Sequence, residues 1–330
     1  MRVLVTSMAS RGHLHALLPL TRALLDEGHD VDVATGPGEP PATGLAALAA
    51  ASRELLDDLA ARRPRLDIVV HEEGEWGGPV YAAVSGVPSV AVGWGAPLPD
   101  ADALRAIDAA ARPLWATHGV LPRTPAGLFD HRFLDTCPPA LQRESLPCAV
   151  EPMRWQPIEA STVTSSSGTG VYVTLGTVPA FNRAPDVLAM IVRALHDERL
   201  LITTGPGHRP ALPSHPNLQV AEYIPQARAF AECRLAVTHG GAGSTLGALT
   251  AGLPVLVIPR GAPSQLRMAE ACHAAGVGIA LEDPNEQTIF SAARTLFDDP
   301  GFRGRARAVA DEIATLPAAR DIARAVTGAG

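Results

Sequence analysis

Hydrophobic positions in this chain switch between two spacings along almost its whole length. Val3-Leu4-Val5-Thr6 is a short apolar, β-branched run, as a strand buried on both faces of a parallel sheet would be. Behind it Leu14, Leu17, Leu18, Thr21, Leu24 and Leu25 recur at helical spacing and stop at Gly28. Residues 31–34 then predict a second strand, 44–63 an alanine-rich amphipathic helix and 67–70 a third strand. A helix over 79–85 is stopped by Gly86 and Pro88 ahead of a strand at 89–92, and 100–118 is helical again. Residues 120–150 show no clear period. The alternation resumes with a strand at 171–175, a helix at 185–196 and strands at 200–204 and 235–238. A helix at 243–251, a strand at 254–258, a helix at 265–275 and terminal helices follow. Such alternation demands parallel βαβ units, whose ligand sites lie at the carboxyl ends of the strands.

The Ser/Thr/Gly-rich stretch EASTVTSSSGTG, residues 159–170, reads as a linker. It divides the chain into an acceptor-side domain, 1–158, and a second domain, 171–330. The expected fold is α/β, two doubly wound parallel-sheet domains facing each other across a cleft. The first domain is short, because little more than one helix fits between the strands at 31–34 and 67–70. Hydrophobic residues are 47% of the 330 and charged ones 18%, the balance of a folded soluble protein. A net charge of -7 and 4% aromatics, with no basic cluster, argue against nucleic acid and anionic membranes as partners. Residues 235–259 carry no charge, yet five glycines between Gly240 and Gly252 and Pro254 break them into strand, turn, helix and strand. MRVLVTS enters a strand directly, and a cytoplasmic location is expected. Every one of the 27 basic residues is arginine, which removes lysine Schiff-base and P-loop chemistry. The four cysteines form no C-x-x-C pair and have no histidines at zinc spacing.

The segment richest in chemistry is Thr238-His239-Gly240-Gly241-Ala242-Gly243-Ser244-Thr245. A strand ends, glycines permit a tight turn, and a helix begins on hydroxyl residues. Amides at a helix N-terminus attract anions such as a diphosphate, although an ordinary strand–helix turn uses the same residues. No G-x-G-x-x-G fingerprint occurs, which counts against a dehydrogenase. The longer run THGGAGSTLGALTAGLPVLVIPRGAPSQLRMAEACHAAGVG resembles the donor-binding segment of family 1 glycosyltransferases, which have the GT-B fold. It is most similar to actinobacterial enzymes that attach deoxysugars to antibiotics. SRGHLHALLPLTRALLDEGHDVDVATG, VYVTLGT and YIPQ agree with that resemblance in order.

The resemblance implies a donor site in which His239, Gly241, Gly243, Ser244, Thr245 and Thr177 hold the diphosphate of a dTDP- or UDP-sugar. Tyr223 would stack on the base, Ile224 would offer its backbone to the base edge, and Gln226 falls at the usual Gln/His position of YIPQ. Where the family usually has Asp-Gln against the sugar hydroxyls, this chain has Ser264-Gln265. Loss of that strong acceptor implies a donor with fewer hydroxyls. The catalytic base is expected at His13, past the first strand, with His15 as the competitor. Glu72 is expected to orient it, with Glu73 and Glu75 as alternatives. The implied reaction is a single in-line displacement with inversion onto a small-molecule aglycone, needing no metal and no cofactor beyond the sugar nucleotide. A glycosyltransferase-like auxiliary protein and a sugar-nucleotide epimerase remain the alternatives, and a homodimer or an auxiliary partner stays open.

Overall fold

The computed structural model describes residues 1–36, 44–62, 65–143, 150–157, 168–176 and 185–328. They belong to two units, one of Met1–Cys137, Glu144–Arg154 and Leu316–Gly330, the other of Pro138–Arg143 and Trp155–Thr315. The first holds strands β1 (Arg2–Ser7), β2 (Asp30–Thr35), β3 (Ile68–Glu72), β4 (Ser89–Val92), β5 (Arg132–Asp135) and β6 (Val150–Pro152). All pair in parallel, in the order β2-β1-β3-β4-β5-β6. Helices α1 (Arg11–Asp26), α2 (Leu45–Arg62), α3 (Gly77–Ser85) and α4 (Ala101–Thr117) connect the first strands.

Strand alternation divides this unit's core between two faces. Val3, Val5, Ile68, Val70, Val90 and Val92 pack with Leu17, Leu20 and Leu24 of α1. Leu4, Val69 and Ala91 point the other way, onto Leu55, Leu56 and Leu59 of α2, Val80 of α3 and Leu114 and Trp115 of α4.

The second unit repeats the plan with β7 (Gly170–Thr174), β8 (Leu200–Thr203), β9 (Leu218–Ala221), β10 (Cys233–Thr238), β11 (Val255–Val257) and β12 (Gly278–Ala280). Its order is β12-β11-β10-β7-β8-β9, again parallel throughout. Helices α5 (Pro185–Ala194), α6 (Gln226–Ala231), α7 (Ala242–Thr250), α8 (Pro263–Ala274), α9 (Glu286–Asp298) and α10 (Pro300–Thr315) accompany it. On one face Val171, Val173, Leu200, Ile202, Leu235 and Val237 meet Leu188 and Ile191 of α5 and Ile289 and Ala293 of α9.

Four short strands, β5, β6, β9 and β12, escape the sequence pattern, since three or four residues are too few to show a period. The division of the chain also differs from the sequence reading. The last helix, α11 (Ala319–Thr327), belongs with the first unit, where Ala319, Ile322 and Ala323 are buried in the α1 core. Arg320 and Arg324 of α11 pair with Glu27 at the end of α1. Most of the expected linker, 159–167, lies outside the described residues.

Candidate active site

Each sheet reverses its chain order at one place, and ligand crevices open there, outside the carboxyl ends of the strands. In the first unit the reversal falls between β1 and β3, which pair with Thr6 opposite His71. Three residues separate β1 from α1, so His13 stands in the first turn of α1, and Glu72 is the last residue of β3. The two meet: His13 Nδ1 lies 2.8 Å from Glu72 Oε1. Glu72 is fully buried. Its Oε1 also accepts from the Met8 amide at 3.3 Å, and Oε2 accepts from the Gly74 amide at 2.5 Å and from Trp94 Nε1 at 2.6 Å. Burial pushes the carboxyl up. The His13 charge and hydrogen bond and the two amides outweigh it, so the acid sits below its ordinary range. An ionised carboxylate only accepts, so the shared proton belongs to Nδ1 and a neutral ring keeps its lone pair on Nε2. The His13 side chain is 26% exposed, which leaves that lone pair within reach of an acceptor.

Glu75 is turned elsewhere. It accepts from Thr6 Oγ1 at 2.5 Å and from the amides of Gly77 and Gly78 that open α3. Burial, with the neighbouring Glu72 charge adding to it, pushes this acid up to about 7 against those hydrogen bonds. Gly78 lets α3 approach, since a Cβ there would collide with Thr6 and Glu75. Glu73 is half-buried, with its carbonyl accepting from Trp76 Nε1 at 3.2 Å. Of the three glutamates, Glu72 alone bonds His13. His15, two residues along α1, is half-buried.

In the second unit the reversal falls between β7 and β10. Gly176 follows β7 and His239 follows β10. The His239 ring lies against two glycines: a Cβ on Gly176 or Gly241 would stand 2.6 or 2.5 Å from its Cε1. Gly176 and Gly240 also hold φ +84°, which other residues reach only with strain. His239 is 8% exposed, and burial pushes it down to about 4; the Arg260 charge adds to this and a hydrogen bond with the Thr174 backbone opposes it.

Gly241 is the residue before α7 and Gly243 lies exposed in its first turn, with open space where a side chain would stand. Ser244 is buried and donates to the Gly241 carbonyl at 3.1 Å. Thr245 is fully buried and its hydroxyl is paired with Thr238 at 3.1 Å, so it faces the sheet. Tyr223, between β9 and α6, is 61% exposed, and Ile224 beside it is half-buried. Gln226 opens α6, with its Oε1 lying 3.1 Å from where a Gly247 Cβ would stand. Ser264 is half-buried at the start of α8, whereas Gln265 is buried and its Oε1 accepts from the Arg260 amide at 2.7 Å. That bond leaves the Gln265 Nε2 as its donor toward a ligand. Thr177 lies outside the described residues.

Two Asp-x-Asp pairs occur, and neither joins these sites. Asp30 and Asp32 lie on the edge strand β2; Asp100 caps α4 through the Ala103 amide, and Asp102 pairs with Arg105. The sequence reading missed Trp94 and Arg260. Trp94 stands between Gly93 and Gly95 just past β4, and an aromatic flanked by glycines at the carboxyl end of a strand is a signal that could have found it.

Comparison with known proteins follows the same lines. The C-terminal domain model of erythromycin biosynthesis protein CIII-like proteins matches residues 186–328. Elloramycin glycosyltransferase ElmGT of Streptomyces olivaceus is 30% identical, covering 98% of this chain and 96% of its own. L-demethylnoviosyl transferase of Streptomyces niveus is 31% identical, covering 96% and 95%. The spinosyn rhamnosyltransferase SpnG, solved with thymidine diphosphate and with spinosyn aglycone, is 25% identical, with TM-scores of 0.82 and 0.80 over 99% of this chain. All of SpnG is covered in return. The architecture is that of GT-B glycosyltransferases.

Proposed function

Because the chain belongs to the glycosyltransferases of antibiotic biosynthesis, we propose that it moves a deoxysugar from a dTDP- or UDP-linked donor to a small natural product. The His13–Glu72 pair carries this reading. A buried carboxylate that fixes Nδ1–H leaves Nε2 as a base at the chain reversal of the first sheet. In the proposed step Nε2 takes the proton of an acceptor hydroxyl as its oxygen bonds to the anomeric carbon. The bond from that carbon to the diphosphate oxygen breaks, the electron pair leaves with the nucleoside diphosphate, and the configuration inverts.

Charge developing on the leaving diphosphate needs donors aimed at it. First-turn amides of α7, the His239 ring and the Arg260 guanidinium are the groups proposed to supply them, in place of a metal ion. SpnG has been solved with thymidine diphosphate, which supports a dTDP-linked donor here. Ser264, in place of a carboxylate, supports a sugar with fewer hydroxyls.

Calorimetric titration with dTDP and with UDP, in EDTA, tests the donor site. One of the two is expected to bind the wild type, and His239→Ala is expected to weaken it about tenfold, the worth of one hydrogen bond to a charged group. Absence of binding by either nucleotide would overturn the donor assignment and favour an auxiliary role. Faster turnover of UDP-glucose than of a dTDP-6-deoxysugar would overturn the choice of sugar.

A further inference from the structure

The carboxylate that faces His13 is held by four donors among the described residues, two on each oxygen. Met8 and Gly74 contribute backbone amides. Among the described residues Trp94 is the only side-chain donor besides His13 itself, and an indole N–H can donate but never accept. Its ring also packs on the other member of the pair, with centroids 4.5 Å apart at 61° to the imidazole, an edge-to-face contact. Gly74 has no side chain because a Cβ there would overlap the Trp94 ring. Met8 follows β1, Glu72 ends β3 and Trp94 follows β4, so three strand ends converge on one carboxylate.

We infer that Trp94 is a positioning residue for the His13–Glu72 pair, its indole N–H pinning Oε2 so that Oε1 stays aimed at His13 Nδ1. This rests on the transferase reading only for its purpose, since the geometry stands without it. A carboxylate pinned on one side cannot rotate away from the imidazole, and an imidazole packed against an indole at 4.5 Å is hindered from turning its other nitrogen inward. Both restraints keep a neutral ring in one tautomer, with Nε2 outward and unprotonated.

The test is the ¹⁵N spectrum of the His13 ring at pH 8, which reports the tautomer directly and needs no acceptor. Four proteins are compared: wild type, Trp94→Phe, Glu72→Gln and the double variant. Phenylalanine keeps an aromatic ring and deletes the N–H. Wild type is expected to show the Nδ1–H tautomer alone, Trp94→Phe a mixture of both tautomers, and the double variant the same mixture as Glu72→Gln. Nδ1–H alone in Trp94→Phe would overturn the proposal. So would a further change on adding Trp94→Phe to Glu72→Gln, because the effect would then not pass through the carboxylate. If Trp94→Phe fails to fold, benzothienylalanine at position 94, of indole shape without the N–H, takes its place. In transfer assays Trp94→Phe is expected to lower kcat about tenfold with the donor KM unchanged. Lack of turnover by the wild type would count against the transferase reading and leave the tautomer result standing.

Discussion

At the scale of single residues, environment separates glutamates that the sequence lists side by side. Glu72 is held ionised by His13 and two amides, while Glu75, three residues on, is pushed up to about 7 by burial. His13→Ala should therefore lower turnover by about two to four orders of magnitude while nucleotide binding is unchanged, measured as kcat against calorimetric affinity. Glu75 gives a stability signature instead. Its proton is bound more tightly in the fold than in the unfolded chain, so its contribution is complete below about pH 4.5 and is lost as pH rises through 7. The difference is about 3 kcal/mol. Buried His71 and His239, both lowered to about 4 by burial, act in the opposite sense and lose stability as pH falls from 6.5 through 4. Comparing urea unfolding of wild type with Glu75→Gln cancels the histidine contributions. The wild-type advantage is expected to shrink between pH 5 and 7, and a constant difference would contradict the raised acid.

At the scale of elements, the turn from β10 into α7 works only because its neighbours are glycines. The His239 ring occupies the space that a methyl on Gly176 or Gly241 would need. Gly241 has φ −64°, so Gly241→Ala tests that collision without backbone strain, whereas Gly176→Ala adds strain at φ +84°. Both are expected to weaken nucleotide binding, Gly176→Ala more than Gly241→Ala. Gly243→Ala is the stability control: a methyl there meets no protein atom within 4 Å, so the thermal midpoint should stay close to wild type. Wild-type affinity in both Gly176→Ala and Gly241→Ala would remove the packed histidine from the account of the turn.

At the scale of the whole molecule, the chain returns to its first unit at the end. α11 buries Ala319, Ile322 and Ala323 against the sheet face that α1 covers, and Glu27 receives both Arg320 and Arg324. Ile322→Ala alone is expected to cost about 2–4 kcal/mol, because a buried isoleucine loses both its transfer energy and its packing. Removing residues 316–330 should make the first unit sensitive to limited proteolysis while dTDP affinity, which the proposed donor site assigns to the second unit, survives. Loss of that affinity with the first unit intact would contradict this division.

Much of this was written in the sequence. Periods of 3.6 and 2 come from backbone geometry and the demand that apolar faces be buried, so most strands, most helices and the α/β class were legible within windows of a dozen residues. The glycine turn at His239 and the base candidate at His13 were legible for the same local reason, and resemblance supplied the chemistry of both. Three-dimensional pairing was not local. Which of Glu72, Glu73 and Glu75 meets His13 depends on how β1 and β3 lie in register and on how the chain turns into α3, and Glu75 is drawn away by Thr6 and two helix amides. Trp94 reaches Glu72 across 22 positions of sequence because β4 lies beside β3. Thr245, read as a phosphate ligand, turns its hydroxyl to Thr238 because that face of α7 packs on the sheet. The last helix looks like part of the second unit until its apolar side finds the α1 core. Local sequence determined which segments are strands and helices and which residues could do chemistry; tertiary packing alone decided which of those residues touch, because contacts between distant segments are set by sheet order and register rather than by spacing along the chain.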